Sequence, residues 1–217
     1  MNENEQETRI NLGFTEERFP PGGHMCLIYN DEAERCRVVG QFLQAGLENG
    51  EQVGYLADDV NTDQIRQMLV SLGVDCATLE ARRQLLLLTT QESYFPDGTF
   101  TPAAMLGRLR KLYAASKAGG WRHFRASGEM QWALGNVPGA CHLFEYECLL
   151  NDLVLECPII PICQYDARRF SGAALFAALQ VHPLMVVHGQ VVRNPYYVDV
   201  KQWLARWGGA FQGSLGQ

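Results

Sequence analysis

The segment GGHMCLIYND, residues 22–31, lies where many α/β proteins have a glycine-rich loop that binds phosphate. Two glycines precede a short alternating stretch, but Tyr29, Asn30, Asp31 and Glu32 come at its end and just after it. Backbone N–H groups and a lysine bind phosphate in such loops, whereas carboxylates repel it. No GxxxxGK[ST] motif occurs anywhere in the chain. The sequence therefore predicts that this site does not hold a nucleoside triphosphate.

A histidine and a cysteine alternate along the same stretch. Because successive residues of a strand point to opposite faces, His24 and Cys26 share one face with Ile28, and Tyr29 lies on the other. Two interpretations stay open: a core strand that tolerates one histidine, or a functional histidine beside a small buried thiol. Tyr29 is a further candidate ligand-binding residue.

Glu147 lies on the apolar side of a predicted helix, four residues after Leu143 and three before Leu150. An unpaired carboxylate there would be strongly destabilising or would be protonated, so the sequence requires a partner for it. Arg122, Arg125 or a histidine could form a structural ion pair with it. Alternatively Glu147 faces a polar pocket, and a raised pKa of its carboxyl group would favour that interpretation.

Polar side chains also come at the ends of later predicted strands. Glu129 and Trp132 follow the fourth strand, and Asp166 ends the fifth, which carries Cys163 and Tyr165. Ligands of open parallel sheets bind beyond the carboxyl ends of the strands, so these residues are expected to converge on one crevice. The alternative is that Trp132 packs against a loop and that the acids are solvated.

A single concave, partly apolar cavity is the structural expectation that follows. Its predicted lining is Glu129, Trp132, Glu147 and Tyr165, with His24 and His182 at or behind the wall. His182 and Asn194 each precede a proline, which favours extended backbone, so fixing a turn is the alternative role for both.

No metal and no cofactor are predicted. His24, Cys163 and His182 could in principle bind zinc, but they lie far apart in the sequence without the spacing of a metal site. The chain has no GxSxG nucleophile motif and no recognisable catalytic triad. An enzyme that uses His24, Glu129 or Cys163 as acid, base or nucleophile is therefore less favoured than a binding protein.

The elements that must position these residues alternate along the chain. Predicted strands cover 24–29, 51–57, 84–90, 121–127 and 159–166, and predicted helices begin near 31, 62, 101, 139 and 168. A strand pair around Gly189 and a helix from Asp199 to Trp207 follow. Strand–helix units in series predict an α/β fold, a three-layer sandwich with a mostly parallel central sheet.

Composition limits the partners and the compartment. The 217 residues carry a net charge of −6, which disfavours direct nucleic-acid binding through counterion release. The seven cysteines form no CxxC pair, and an odd count is typical of reduced thiols, so we expect a cytoplasmic protein. The first residues, MNENEQETR, are polar, and apolar runs such as QLLLLTT are too short to cross a bilayer. No membrane segment is expected.

Two resemblances rest on longer motifs. The run LIYNDEAERCRVVGQFLQAGLENGEQVGYLADD, residues 27–59, resembles the first β-α-β unit of RecA/KaiC-like ATPases without their P-loop. At the Walker B position, FRASGEM offers Arg125, Ala126 and Ser127 instead of an acid. Seven motifs between Gly22 and Tyr197 resemble the MEDS family, the methanogen/methylotroph DcmR-type sensory domain. In order they are GGHMCLIY, GLENGE, ASGEMQWAL, EYECLLN, CQYDARRF, HPLMVV and NPYY.

The MEDS resemblance implies a sensory domain derived from the RecA/KaiC fold, a kind of domain proposed to sense small hydrocarbon derivatives. It favours a functional role for His24, because a histidine after the glycine pair recurs in the family pattern. The predicted organisation is an N-terminal polar segment (1–21), a single sensory domain (22–207) and a flexible C-terminal tail (208–217), with both chain ends mobile.

The predicted function is a non-catalytic sensory or regulatory domain that binds a small molecule in a degenerate nucleotide site. About 20 residues on each side of the match leave no room for a helix-turn-helix segment. Output is therefore expected through a signalling or transcription-regulatory protein in trans, or through a homo-oligomer. Two alternatives stay open: an interaction module without a ligand, derived from a RecA-like ATPase, and, less favoured, a small-molecule enzyme.

Overall fold

A seven-stranded sheet forms the middle layer of the protein in the computed structural model, which describes residues 9–58 and 61–217. In chain order the strands are β1 Ile10–Asn11, β2 Arg18–Phe19, β3 Met25–Tyr29, β4 Gln52–Ala57, β5 Leu85–Thr89, β6 Phe124–Glu129, β7 Ile160–Asp166, β8 Leu184–Val187 and β9 Gln190–Arg193. The helices are α1 Glu32–Glu48, α2 Thr62–Ser71, α3 Cys76–Ala81, α4 Thr90–Ser93, α5 Pro102–Ala118, α6 Leu143–Glu156, α7 Gly172–Val181 and α8 Val200–Trp207. Two 3₁₀ turns, Gln131–Leu134 and Ala140–His142, precede α6.

The strand order in the large sheet is β5-β4-β6-β7-β3-β8-β9. Every neighbouring pair is parallel except β8 and β9, which form an antiparallel hairpin. β1 and β2 form a separate two-stranded sheet. The predicted α/β fold with a mostly parallel central sheet is confirmed.

Helices cover both sides of this sheet and enclose two hydrophobic cores. We call the side packed against α1 and α2 the α1 face and the side packed against α5 to α8 the α6 face. Alternation along β3 sends Cys26 to the α6 face and Leu27 to the α1 face. On the parallel neighbour β7, Cys163 pairs with Cys26 in register, so the two thiols lie side by side on the α6 face.

N-cap side chains fix where the helices begin, and most of the predicted helix starts are confirmed. The Asp31 side chain accepts a hydrogen bond from Ala33 N at the start of α1. Thr101 caps α5, and a proline occupies its first turn. α7 begins four residues later than predicted because the Ser171 side chain accepts from Ala174 N and so ends the preceding loop.

The strand ends differ from the prediction at β6. The predicted strand 121–127 is displaced to Phe124–Glu129, so Glu129 is the last residue of the strand and not part of the loop that follows it. The displacement matters because a strand residue has a fixed facing direction, which a loop residue does not.

Both chain ends contact the body of the protein where they are described. Residues 1–8, which are predicted to be mobile, lie outside the described residues. Ile10, Leu12 and Phe14, predicted to belong to a polar segment, are buried in the core of the α1 face. Within the predicted flexible tail, the ring of Phe211 packs on Phe144 with centroids 5.0 Å apart. Among the described residues no helix is long and apolar enough to cross a membrane.

Candidate functional site

Four buried side chains from four different elements meet on the α6 face. His24 directly precedes β3, Glu147 lies on α6, Cys163 lies in β7, and His182 ends α7. Each offers one nitrogen, sulfur or oxygen atom, and these atoms all lie within 4.8 Å of one another. We call these four residues the HECH cluster.

Short polar contacts connect the cluster. Glu147 Oε2 lies 3.1 Å from His24 Nε2, 3.3 Å from Cys163 Sγ and 3.4 Å from His182 Nε2. His24 Nε2 is also 3.4 Å from Cys163 Sγ. The second carboxylate oxygen of Glu147 accepts a hydrogen bond of 3.0 Å from the hydroxyl of Tyr165. The cluster thus converges on a single carboxylate oxygen.

Burial and charge set the protonation states in the cluster. Burial lowers the pKa of His24, and the neighbouring His182 lowers it further. Burial alone would raise the pKa of Glu147, but His182 and His24 outweigh it and hold this pKa well below its usual range. Burial and the Glu147 carboxylate raise the pKa of Cys163 well above its usual value. The expected state is therefore an ionised Glu147, a neutral His24 and a protonated thiol.

Of the partners predicted for Glu147, two histidines are the ones that contact it in the structure. The lowered pKa of its carboxyl group favours the ion-pair interpretation over the polar pocket. Arg125 cannot be the partner because it faces the α1 side of the sheet. Its Nε lies 2.5 Å from Glu51 Oε2 in a fully buried ion pair.

Two asparagines hold the histidines in place. The Asn151 side-chain oxygen lies 3.1 Å from His24 Nδ1. Asn194 donates through its side-chain nitrogen to the carbonyl oxygens of Leu179 and His182, which fixes the end of α7. Asn194 was predicted as a ligand-binding residue or a turn-fixing residue, and its contacts are those of the second. Asn151 was not predicted, although its position four residues after Glu147 on one helix face was a usable signal.

Glu129 belongs to a different polar network, on the α1 face. Its carboxylate accepts from the hydroxyl of Tyr55 at 2.5 Å and from the backbone N–H of Asp58 at 3.1 Å. Arg35 donates to the Tyr55 hydroxyl at 3.0 Å and to Gln164 Oε1 at 3.1 Å. The sheet separates this network from the HECH cluster.

Tyr29 and Trp132 occupy further separate positions. Tyr29 is buried in the core of the α1 face, and its hydroxyl accepts from Gln131 Nε2 at 2.6 Å. Trp132 stacks among aromatic rings, with its centroid 5.0 Å from that of Tyr94 and 4.6 Å from that of Phe100. Its role in the structure is that of a packed core residue.

The expectation of one cavity lined by Glu129, Trp132, Glu147 and Tyr165 is therefore wrong. The structure brings Glu147 and Tyr165 together with the histidines, but it places Glu129 on the opposite side of the sheet. The physical reason is the register of the parallel strands, which aligns Glu129 with Gln164 and not with Tyr165. Residues at neighbouring strand ends share an edge of the sheet but not a face.

A smaller cavity lies at the predicted degenerate nucleotide site, beyond the carboxyl end of β3. It has a volume of about 240 Å³, and residues of β3 and β8 form most of its wall. Cys26 reaches this wall from the side of the HECH cluster, because it lies beside Cys163 in the sheet. A larger groove of about 520 Å³ lies between α7, α8 and residues 208–213, and it contains none of the predicted site residues.

Comparison with known proteins decides the family. The family model described as MEDS, MEthanogen/methylotroph, DcmR Sensory domain, matches residues 23–183. The chain belongs to the MEDS family. The matched region contains the whole HECH cluster, so the cluster is part of the MEDS domain. Membership of this family gives the chain a sensory, regulatory role.

The chain is also similar to a curated protein and to a solved structure. The chain is 29% identical over 160 residues to the transcriptional repressor DcmR of Methylorubrum extorquens (strain DSM 6343 / CIP 106787 / DM4). This match covers 73% of the chain and 57% of the repressor, so the chain spans little more than half the length of that relative. The crystal structure of KaiC-like protein PH0186 from the hyperthermophilic archaeon Pyrococcus horikoshii OT3 superposes with a TM-score of 0.59 at 17% identity. It covers 82% of this chain and 78% of its own, which shows a KaiC-like fold.

Proposed function

We propose that this MEDS domain is a non-catalytic sensor that binds a small molecule beside its degenerate nucleotide site. The observation that carries the proposal is the cavity of about 240 Å³ at the carboxyl end of β3. Its wall combines apolar side chains, such as Ile28, Met185 and Val187, with the polar residues Asn30 and Glu34. Walls that combine apolar side chains with polar groups suit a small, weakly polar molecule such as a hydrocarbon derivative.

The start of α1 supports the loss of nucleotide binding. In a phosphate site the free N–H groups of the first helical turn point at the anion. Here the carboxylate of Asp31 already accepts from Ala33 N, and Glu32 adds a second negative charge to the same turn. A triphosphate would have to displace one carboxylate and approach another, so a degenerate ATPase is the form of the fold that we propose.

The similarity to a transcriptional repressor supports a proposal for the regulatory output. The matched relative is a transcriptional repressor that is longer than the match. We propose that this chain passes the binding event to a signalling or transcription-regulatory protein in trans, or to a second copy of itself. Its net charge of −6 makes direct contact with nucleic acid unfavourable. Reduced thiols and a cytoplasmic location fit the same proposal, since all seven cysteines are free.

A thermal-shift screen tests ligand binding. Short alcohols, halogenated hydrocarbons, aromatics and organic acids are added to the purified protein, and the melting temperature is measured. A ligand at a hundredfold excess over its dissociation constant should stabilise the fold by about 2.7 kcal/mol. The melting temperature should therefore rise for at least one compound class.

A matched pair of variants locates the binding site. Val187 and Val192 are similarly exposed, at 38% and 40%, on the two strands of one hairpin, but only Val187 lines the cavity. Val187→Trp should abolish the ligand-induced shift, and Val192→Trp should retain it. If both variants keep the shift, the ligand binds elsewhere. If no compound stabilises the unmodified protein, the small-molecule proposal fails.

The larger groove favours an interaction module as the second candidate function. Phe176 is 50% exposed at this groove, where the partly buried Trp207 and Phe211 provide further apolar surface. Apolar patches of this kind often mark contacts between proteins. Phe176→Ser should then change the molar mass measured by light scattering, if the groove joins two copies of this chain. A strictly monomeric unmodified protein would exclude such self-association.

A further inference from the structure

The histidine tautomers in the HECH cluster are determined by hydrogen bonds outside it. The side-chain nitrogen of Asn151 donates to the carbonyl oxygens of Glu147, Cys148 and Val181, at 3.3, 3.0 and 2.8 Å. The amide is therefore oriented with its oxygen towards His24 Nδ1, 3.1 Å away. Because this oxygen only accepts, His24 carries a proton on Nδ1, and a neutral His24 presents a lone pair on Nε2.

The same reasoning applies to His182. Its Nδ1 lies 2.7 Å from the carbonyl oxygen of Ala178, which again requires a proton on Nδ1. Its Nε2 atom is buried and has no hydrogen-bond partner among the described residues, although it points at Glu147 Oε2 from 3.4 Å. A neutral His182 thus also presents a lone pair to the cluster.

With both histidines in the neutral form, the cluster has more acceptors than protons. Two imidazole Nε2 atoms and the carboxylate oxygen of Glu147 converge, and the thiol of Cys163 supplies one proton among them. Buried lone pairs that face one another without a donor are destabilising, so a cation at the centre would stabilise the arrangement. Nitrogen, sulfur and oxygen donors of this kind are the ligands that zinc-type ions prefer.

We propose that the HECH cluster is a four-ligand site for a zinc-type divalent metal ion. Zinc bound tetrahedrally at its usual distances to nitrogen, sulfur and oxygen separates the ligand atoms by about 3.3 to 3.6 Å. Four of the six separations between these atoms are 3.1 to 3.4 Å, close to this range, and all six are within 4.8 Å.

The charges and the surrounding hydrogen bonds also fit a divalent ion. Binding releases the thiol proton of Cys163 to solvent, so one thiolate and one carboxylate balance the double positive charge of the ion. Ligating side chains are usually oriented by hydrogen bonds to their remaining polar atoms. Here Asn151 orients His24, the Ala178 carbonyl orients His182, and the Tyr165 hydroxyl binds the free oxygen of Glu147.

The number and burial of the ligands indicate what the ion would do. Four protein ligands close a tetrahedral site, and all four side chains are almost completely buried, so a structural or regulatory ion fits better than a catalytic one. The ion would join β3, β7, α6 and α7 at the side of Cys26, which lines the smaller cavity. The metal site goes beyond the proposed ligand-binding function and does not depend on it.

Metal content tests the proposal directly. The full chain is expressed without a polyhistidine tag, dialysed and analysed by inductively coupled plasma mass spectrometry, before and after refolding with zinc chloride. We expect about one ion per chain. Refolding with Co²⁺ should give thiolate-to-cobalt charge-transfer absorption and the strong visible bands of a tetrahedral ion.

Two cysteine variants provide the contrast. Cys163→Ser should lose the bound metal and the charge-transfer band, whereas Cys76→Ser should keep both, since Cys76 is a buried cysteine on the opposite face. His182→Gln should also lose metal, and circular dichroism checks that each variant is folded. A folded, unmodified protein that binds neither ion would overturn the proposal and assign the cluster to protonated histidines. Metal retained equally by Cys163→Ser and His182→Gln would overturn it as well. Because metal content and the ligand-induced shift are separate measurements, either proposal can fail alone.

Discussion

At the scale of single residues, the buried charges on the two faces of the sheet have different kinds of partner. On the α6 face one carboxylate, Glu147, is surrounded by imidazoles and a thiol. On the α1 face Arg125 is fully buried, and it donates to Glu51 Oε2 at 2.5 Å and to the carbonyl oxygens of Phe42 and Asn11 at 2.7 and 3.1 Å. Each of the three guanidinium nitrogens donates to an acceptor, which reduces the cost of burying the arginine.

Removing one charge of the Glu51–Arg125 ion pair should lower the free energy of unfolding far more than removing both charges. Glu51→Gln leaves the buried charge of Arg125 uncompensated, and we expect a loss of about 3 kcal/mol in the free energy of unfolding, measured by urea denaturation. The double variant Glu51→Leu/Arg125→Met removes both charges and should recover much of that loss. A double variant that is less stable than Glu51→Gln would show that the hydrogen bonds of Arg125 to the backbone outweigh the charge effect.

At the scale of elements, the entry into α6 depends on a close approach of two backbone segments. Gly139 has φ of 87° and precedes the 3₁₀ turn Ala140–His142. A Cβ atom built on Gly139 would collide with the carbonyl oxygen of Phe100, in the segment that leads to α5. Glycine is required here both for the left-handed backbone and for the contact. This approach places α6, and with it Glu147, on the sheet.

Comparison with a second glycine separates the effect of the left-handed backbone from the effect of the close contact. Gly98 also has a positive φ, 78°, but a Cβ atom there would meet nothing within 4 Å. Gly98→Ala should therefore reduce the free energy of unfolding by about 1 kcal/mol, the cost of the left-handed backbone alone. Gly139→Ala should reduce it by about 3 kcal/mol or more, because the collision is added. Chemical denaturation of the two variants measures the difference, and equal losses would mean that the Phe100 segment moves aside freely.

At the scale of the whole molecule, the sheet and helices form a KaiC-like fold, and the sequence contains no P-loop motif. Among the described residues, the sheet also separates the buried polar network around Glu129 from the one around Glu147. Cys26, which lines the cavity beside β3, and Cys163 of the HECH cluster are neighbours in the sheet.

We expect that the chain neither binds nor hydrolyses nucleotides. Mg-ATP and Mg-GTP should give no heat of binding in isothermal titration calorimetry and no turnover, because the phosphate-binding donors are absent and Asp31 and Glu32 repel the phosphates. Mg-ADP and inorganic phosphate serve as controls for weak anion binding. Micromolar affinity for Mg-ATP with measurable hydrolysis would contradict the expectation.

The sequence alone determined the order and type of the main elements. Helix caps such as Asp31 and Thr101 act within a few residues of themselves, so their effect can be predicted without knowing the fold. Continuous apolar strands between helices indicate a parallel sheet for the same local reason. The seven ordered motifs added the family, and the missing P-loop could be seen directly in the sequence.

Only the tertiary structure decided which polar residues meet. His24 is 123 residues from Glu147 and 139 from Cys163, so no spacing rule could bring them together. The period of a strand tells which of its residues share a face, but the facing of one strand relative to its neighbour depends on register. Register placed Glu129 on the α1 face and Cys163 on the α6 face. The packing of α6 and α7 onto that face then completed the HECH cluster, because long-range burial and not local sequence brings helices onto a sheet.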